Sequence, residues 1–186
     1  SNIMSDTHTV KVKITNETTN NILSYFVFHT NNENKNLFIS EEILDKGSNV
    51  NEKQDLKHST GGGKDDSHWV IMWIEDNGKM FITSPSSNNF RPIMDLLKKH
   101  SGKLSELKEN SKSKLAPYVT PATIITTALS ISSVKSKEDE MVKHNLETSD
   151  DKSTIEVKLL KIDEKRKAEI INHGGSKHIE VNELTY

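Results

Sequence analysis

Apolar and polar residues alternate in the first part of the chain, which is the pattern of β-strands that bury one face. Residues 9–16 (Thr-Val-Lys-Val-Lys-Ile-Thr-Asn) show it most clearly, since Val10, Val12 and Ile14 share one face and lysines occupy the other. Residues 22–29 carry aromatic and β-branched side chains on both faces, as a central strand does. The pattern therefore predicts a half-buried strand followed by a central one.

Residues 68–84 predict a β-hairpin. Two apolar runs flank Asp76-Asn77-Gly78, and Asn-Gly between apolar runs is the strongest short-range hairpin signal in a sequence. Because Asn and Gly accept positive φ angles, we expect a two-residue turn of type I′. This hairpin predicts an antiparallel β protein.

Trp69 and Trp73 share one face of the first hairpin strand, with Ile71 between them, and the other face is apolar as well. Two apolar faces favour a strand buried between two layers. The alternative is an exposed tryptophan platform, which would stack on sugar rings or lie at a membrane interface.

The segment before the hairpin is polar. A short third strand is predicted at residues 37–39, but residues 45–66 contain almost no apolar side chains, which is unusual inside a compact domain. This stretch is either a functional loop or contains a weak edge strand near residues 50–57.

Beyond a polar boundary at residues 84–89 the apolar period changes from two to about 3.6 residues. The repeat predicts amphipathic helices over residues 89–115. Its apolar face steps by four and three residues through Ile93, Leu97, His100, Leu104 and Leu107.

The other faces of these helices carry a surplus of lysines, including Lys98, Lys99 and Lys103. A basic amphipathic helix either docks on the sheet or offers a surface to an acidic partner or an anionic membrane. We identify these three lysines as candidate partner-binding or membrane-binding residues.

Two segments follow whose patterns are weaker. Residues 120–134 are rich in Thr and Ile, which favours a strand over a helix because β-branched residues lose rotamer freedom in helices. Residues 135–152 are charged and almost free of apolar residues, which predicts a solvated helix or a linker.

The C-terminal residues predict a β-α-β unit. Residues 153–162 alternate as a strand, Asp163 is placed to cap a short helix through Ile171, and the next strand covers residues 178–184 with Ile179 inward. The spacing allows a parallel pair joined by a crossover helix.

These elements predict a mainly β protein of the α+β class. An antiparallel β-sheet or sandwich would cover residues 8–84. Amphipathic helices and a β-α-β tail would follow over residues 85–186, packed on the first part as one domain.

The composition supports a folded protein with a large polar surface. The chain has 186 residues, of which 32% are apolar and 28% charged, with a formal net charge of −2, and this balance gives no electrostatic argument for nucleic acid as a partner. It has no cysteine, hence no disulfide or thiolate site, and no run approaches the roughly 18 apolar residues of a membrane span.

With Met4 as the native start, we expect a soluble cytoplasmic protein, or a secreted one if a signal peptide has been removed.

The polar segment before the hairpin contains the candidate binding residues. The run Gly61-Gly62-Gly63-Lys64 lacks the spacing of a phosphate-binding loop, and the aspartate after it would repel phosphate. Asp65, Asp66 and His68 lie beside the tryptophans but lack the alternation and the closing glutamate of a calcium loop. We take these three residues, with Trp69 and Trp73, as candidate ligand-binding residues and predict no metal site.

No motif in the sequence names a reaction. There is no Gly-x-Ser-x-Gly elbow, no cysteine nucleophile and no His-Glu-x-x-His, and Gly-Gly separates His173 from His178, which disfavours a zinc pair. We therefore predict no cofactor and a non-enzymatic binding or interaction module for an unknown protein, sugar or lipid. The alternatives are a membrane-active or carbohydrate-binding β-sandwich protein, and a hydrolase-type enzyme without a recognisable motif.

The first 90 residues loosely resemble the β-sandwich cytolysins and fungal lectin-like proteins of the actinoporin and aegerolysin-like group. The resemblance rests on a first strand that ends in Asn16-Glu17-Thr18, on residues 43–47 (Ile-Leu-Asp-Lys-Gly), and on the glycine-rich approach to the tryptophan hairpin. These features are generic to sandwiches and cover half of the chain. The aromatic lipid-binding cluster of that group has no counterpart here, so the resemblance assigns no residue a role.

Overall fold

The computed structural model describes residues 6–40, 42–62, 65–83 and 141–184. Of these residues 66% lie in strands and 3% in helical turns, and the sheet curls into a half-barrel. The described helical residues form a single 3₁₀ turn, Thr148–Asp150. The α+β fold class with amphipathic helices is therefore wrong, because the described fold is nearly all β.

Three sequence-based predictions lie outside the described residues. They are the polar boundary at residues 84–89, the amphipathic helices over residues 89–115, which include Lys98, Lys99 and Lys103, and the strand at residues 120–134.

The described residues form eleven strands of one sheet. In chain order they are β1 (Asp6–Glu17), β2 (Ile22–Asn31), β3 (Asn34–Ile39), β4 (Asn49–Asn51), β5 (Leu56–Thr60), β6 (Ser67–Glu75), β7 (Met80–Thr83), β8 (Val142–Lys143), β9 (Thr154–Ile162), β10 (Lys165–Asn172) and β11 (Gly175–Leu184).

The strands follow one another in the order β3-β2-β6-β7-β11-β10-β9-β1-β4, while β5 pairs with β1 and β8 pairs with β6. Neighbouring strands are antiparallel, except that β1 and β9 are parallel. The strands of the C-terminal part thus lie between β7 and β1, and β3 and β4 are the two ends of the sheet.

The alternation of β1 and the two apolar faces of β2 and β6 are confirmed. Val10, Val12 and Ile14 of β1 are buried, and every residue of β2 is buried. Two apolar clusters lie on opposite faces of β6. One fills the inside of the half-barrel and includes Trp69 and Trp73, and the other lies on the outer face of β2, β3, β6 and β7.

The predicted helix between residues 163 and 171 is wrong, because these residues form a turn and β10. Asp163 adopts a φ of +54° in a two-residue turn, and β10 pairs antiparallel with both β9 and β11. Ala168 and Ile170 point into the core two residues apart, which is the period of a strand. The parallel β-α-β tail is therefore an antiparallel meander.

The solvated helix or linker predicted for residues 135–152 is also wrong in its described part. Met141, Val142 and Leu146 are buried, and β8 pairs with β6. The carboxylate of Asp150 is buried and accepts N–H bonds from Asn172 at 2.9 Å and from the main chain of His173 at 2.7 Å. These contacts fix the segment against the sheet.

The β6–β7 hairpin is confirmed, but its turn is not of type I′. Gly78 has a φ of +84°, whereas Asn77 is not among the described residues with positive φ. The Gly78 N–H donates to the Glu75 carbonyl, and the Glu75 N–H donates to the Lys79 carbonyl, both at 2.9 Å. This is the three-residue connection in which a type I turn is followed by a left-handed glycine.

We expect Gly78→Val to lower the free energy of unfolding by about 1–3 kcal/mol, because a β-branched residue is strained at positive φ. Thermal and urea denaturation measure the change. Lys79→Val is the matched control, since it introduces the same side chain at an exposed position next to the turn. Equal stability of both variants would contradict the assigned turn.

Candidate ligand-binding site

Asparagine side chains connect the two ends of the curled sheet along one side of the half-barrel. The Asn36 side chain of β3 donates to the Lys57 carbonyl at 2.9 Å and accepts the Lys57 N–H at 3.0 Å. The Ser59 hydroxyl of β5 accepts a hydrogen bond from the Asn34 amide at 2.9 Å. The Ser59 main-chain N–H donates to the Asn31 side-chain oxygen at 2.6 Å. We call these contacts, made by Asn31 at the end of β2 and by Asn34 and Asn36 of β3 with β5, the seam. The seam joins the strands through side chains instead of a backbone ladder.

Past the seam, β3 and β4 border a cavity of about 620 Å³, which we call the slot. Residues 37–39 of β3 form one wall, and residues 48–54 form the other. Residues 42–45 and Tyr25 complete the lining. The slot thus lies where the sheet would need another strand to close into a barrel.

The free edge of β3 directs main-chain groups toward the slot. β2 and β3 are joined by a two-residue turn with Asn31 opposite Asn34, so this pair is hydrogen-bonded and every second pair after it is too. The Ser40 N–H donates to the Tyr25 carbonyl at 3.1 Å, in agreement with this alternation. The N–H and C=O groups of Leu37 and Ile39, which belong to the intervening pairs, therefore point away from β2.

The outer edge of β4 also directs main-chain groups toward the slot, from the side opposite β3. The Asn16 N–H donates to the Ser48 carbonyl, and the Glu52 N–H donates to the Val12 carbonyl, both at 2.9 Å. Asn49 and Asn51 lie in the intervening pairs, opposite residues 15 and 13 of β1. Their main-chain groups therefore point away from β1. Among the residues that the structure describes, two open strand edges thus border the slot.

The side chains of the slot combine an apolar floor with acidic groups. Phe38 and Leu44 are buried, while Glu42 and Asp45 are exposed. The Tyr25 hydroxyl donates to the Glu52 carboxylate. The described part of the lining contains three carboxylates, at positions 42, 45 and 52, and one lysine, at position 53. This surplus of negative charge favours cationic groups in a ligand.

His29 lies behind the seam and is completely buried. Burial, with smaller contributions from His58 and His68, lowers its pKa to about 3. The neutral ring accepts a bond from the Asn36 amide at 3.0 Å, and its other nitrogen contacts the Ser67 hydroxyl at 2.9 Å. The Asn36 amide thus binds both His29 and β5, so the seam depends on an uncharged imidazole.

His58 lies inside the half-barrel, opposite His8 on β1. Its side chain is fully buried, and neither ring nitrogen has a hydrogen-bond partner within the described residues. Burial and the neighbouring His8 lower its pKa, although Asp150 and Asp151 oppose the shift. A buried polar group without a partner destabilises the fold.

We expect His58→Leu to raise the free energy of unfolding at pH 7 by about 1–3 kcal/mol, because an apolar side chain of similar size removes that desolvation cost. Urea denaturation measures the difference. His173→Leu, at an exposed turn position, is the control. A less stable His58→Leu protein would show that the imidazole makes a stabilising interaction.

A buried ion pair lies at the hairpin end of the half-barrel. Arg166 of β10 donates two hydrogen bonds to Glu75 of β6, at 2.7 and 2.8 Å. Asn20 and Trp73 donate to the same carboxylate at 2.7 and 3.1 Å. Burial disfavours ionisation of Glu75, but the bonds from Arg166, Asn20 and Trp73 outweigh it and hold the pKa of this carboxyl below its usual value.

The candidate residues chosen from the sequence do not lie at the slot. Trp69 and Trp73 are fully buried, and their ring nitrogens donate to the His144 carbonyl and to Glu75. They therefore pack in the inner cluster and do not form an exposed platform.

Asp65, Asp66 and His68 lie at the start of β6. Asp65 accepts the N–H groups of residues 61 and 62 at 3.0 and 3.3 Å, which orders the glycine turn. Asp66 is exposed and contacts Lys143 at 3.2 Å. His68 is half-buried and pairs with β8. Within the described residues no three His, Asp or Glu side chains are placed to hold a metal ion.

The sequence contains one signal for the slot. The sequence predicts that the polar stretch at residues 45–66 is a functional loop or contains a weak edge strand. In the structure it contains β4 and β5, and its residues 48–54 form one wall of the slot. The opposite wall, Leu37–Ile39, has only the pattern of a short strand. Nothing in the sequence indicates that these two segments face each other.

The sequence matches no protein-family model, and it matches no curated protein. The resemblance to β-sandwich cytolysins therefore receives no support from these comparisons. In the described part of the chain, no helix has the length and apolar character needed to cross a membrane.

Proposed function

We propose that the protein is a non-enzymatic binding module that holds its ligand in the slot. The observation that carries this proposal is the pair of open strand edges, β3 and β4, that border one cavity. Leu37 and Ile39 on one side and Asn49 and Asn51 on the other direct main-chain groups into it. Such groups can position a ligand without any catalytic side chain.

The size and lining of the slot agree with a ligand site. Its volume, about 620 Å³, lies within the roughly 300–1,000 Å³ of typical ligand pockets. The floor is apolar at Phe38 and Leu44, and polar groups are placed around it at Glu42 and Asp45. An apolar surface with a few convergent polar groups is the usual composition of a binding site.

Three histidines with lowered pKa values lie away from the slot. Catalytic sites concentrate groups with perturbed pKa values. Burial lowers the pKa of His29, His58 and His144, but none of these histidines lines the slot. The sugar alternative relied on exposed tryptophans, and Trp69 and Trp73 are buried. The membrane alternative relied on them and on Lys98, Lys99 and Lys103, which lie outside the described residues.

Binding of a neutral solvatochromic dye, 6-propionyl-2-(dimethylamino)naphthalene, tests this proposal. We expect saturable binding with blue-shifted emission, because the dye would rest on the apolar floor. Val50→Trp should weaken binding by about tenfold or more, equivalent to about 1.4 kcal/mol, since the larger side chain fills the slot from β4.

Ile171→Trp is the matched control, because Ile171 is also half-buried in a strand but does not line the slot. It should bind the dye like the original protein. Equal dye affinity in both variants, or no saturable binding at all, would contradict the proposal.

A further inference from the structure

We propose that the ligand of the slot is an extended peptide segment of a partner protein, with apolar and basic residues in alternation, which adds as a strand between β3 and β4. This inference rests on the proposed function and assigns its ligand class. It explains why the slot is bordered by two strand edges, a feature that a compact small molecule would not require.

The spacing of the outward main-chain groups matches a strand. Leu37 and Ile39 are two residues apart on β3, and Asn49 and Asn51 are two residues apart on β4. Groups two residues apart along a strand are separated by about 6.6 Å, and an added strand presents its own N–H and C=O groups with that period. Both edges therefore carry main-chain groups at the period that an extended peptide presents. This mode of recognition is β-strand addition.

The seam sets where the added strand begins. Next to the slot, Asn36 already bonds both main-chain groups of Lys57 across the gap. A peptide strand has no free edge to join at that point. It is therefore restricted to the stretch where residues 37–39 face residues 48–54.

The lining predicts the peptide's side chains. Alternate residues of an inserted strand point to opposite faces. Those that point inward meet Phe38 and Leu44, which are buried and apolar. On the other face, Leu37 and Ile39 belong to the outer apolar cluster. Glu42 and Asp45 are exposed carboxylates at the rim of the slot. Opposite charge at this rim favours lysine or arginine at the alternate positions and disfavours acidic residues.

Fluorescence anisotropy with labelled peptides tests the inference. The probe is Val-Lys-Val-Lys-Val-Lys with blocked ends, and Val-Glu-Val-Glu-Val-Glu is its charge-reversed control. A third peptide has the lysine sequence with N-methyl groups on its valines, which removes the main-chain donors at every second position. We expect the first peptide to bind saturably, and each of the other two to bind at least about tenfold more weakly, or 1.4 kcal/mol.

Two protein variants locate the bound strand. Ile39→Pro removes an N–H that points into the slot without removing a bond to β2, a change that an edge strand tolerates. Lys35→Pro makes the same change at another outward position of β3, next to the seam. We expect a loss of at least about tenfold for Ile39→Pro and little change for Lys35→Pro. If Ile39→Pro does not fold, Glu42→Lys with Asp45→Lys replaces it, because both positions are exposed.

Several results would overturn the inference. They are equal binding of the lysine and glutamate peptides, unchanged binding after N-methylation, or an equal effect of the two proline variants. A slot already filled by another segment of this chain would leave all three peptides without binding, which would also overturn it. Dye binding that Val50→Trp abolishes, together with no peptide binding, would reject the peptide and leave the proposed function in place.

Discussion

Arg166→Met is expected to lower the free energy of unfolding by about 3–5 kcal/mol, because it leaves the carboxylate of Glu75 buried without its cationic partner. Glu75 is fully buried and Arg166 nearly so, and they share two short hydrogen bonds. The guanidinium also lies 5.2 Å from the centre of the Phe81 ring. The bonds from Asn20 and Trp73 remain after the substitution but carry no positive charge.

Urea denaturation of both single variants and the double variant separates this pair from its surroundings. The double variant Glu75→Gln with Arg166→Met should lose clearly less free energy of unfolding than the sum of the two single substitutions. Neither charge is then left without its partner. Lys167, next to Arg166 on β10, forms a surface ion pair with Glu180 of β11. Lys167→Met should lower the free energy of unfolding by less than about 1 kcal/mol. Additive single effects would show that the two side chains do not interact.

Stability is expected to fall as the pH decreases from about 6.5, before ordinary carboxylates become protonated. The folded protein keeps His29 uncharged with a pKa of about 3, whereas the unfolded chain binds this proton near pH 6.5. The unfolded state therefore holds more protons between these values. His29 alone therefore lowers the free energy of unfolding by about 1.4 kcal/mol per pH unit below 6.5, or by about 2 kcal/mol at pH 5. His58 and His144, whose pKa values are also lowered by burial, act in the same direction.

Urea denaturation at pH 7 and pH 5 measures this loss, and His29→Gln should reduce it. A glutamine side chain can accept the Asn36 bond and donate to Ser67 without titrating. His173→Gln is the control, because His173 is exposed in the turn between β10 and β11. An equal loss of stability between these pH values in all three proteins would contradict the assignment to His29.

The sequence predicts strands well where one local pattern decides the structure. The alternation in β1 and β9, the apolar faces of β2 and β6, and the turn glycine at Gly78 each reflect burial or φ angles over a few residues. In β10 the local pattern was misleading. Lys165–Asn172 contains residues that fit a helix, but pairing with both β9 and β11 determines its structure, and tertiary contacts of this kind override weak local preference.

The candidate site could not be predicted because it depends on contacts between distant segments. Asn36 has no special pattern in the sequence, yet it bonds Lys57 and His29 at once. Likewise, the parallel pairing of β1 with β9 brings together residues that are far apart in the chain. Within the described residues, this pairing brings β4 and β5 opposite β3, where asparagine side chains bridge β3 and β5 and the slot lies between β3 and β4. Asp65, Asp66 and His68 were chosen from the sequence because they lie within four residues of one another.

Hydrogen exchange of individual amides in the free protein tests the open slot most directly. The N–H groups of Leu37, Ile39, Asn49 and Asn51 point into the slot, while those of Phe38 and Val50 in the same strands are bonded to β2 and β1. We predict rapid exchange of the first four amides, with opening free energies near zero, and strong protection of the other two. Protection of all six amides to the same degree would mean that the two strand edges are already paired, and would contradict the slot as a ligand site.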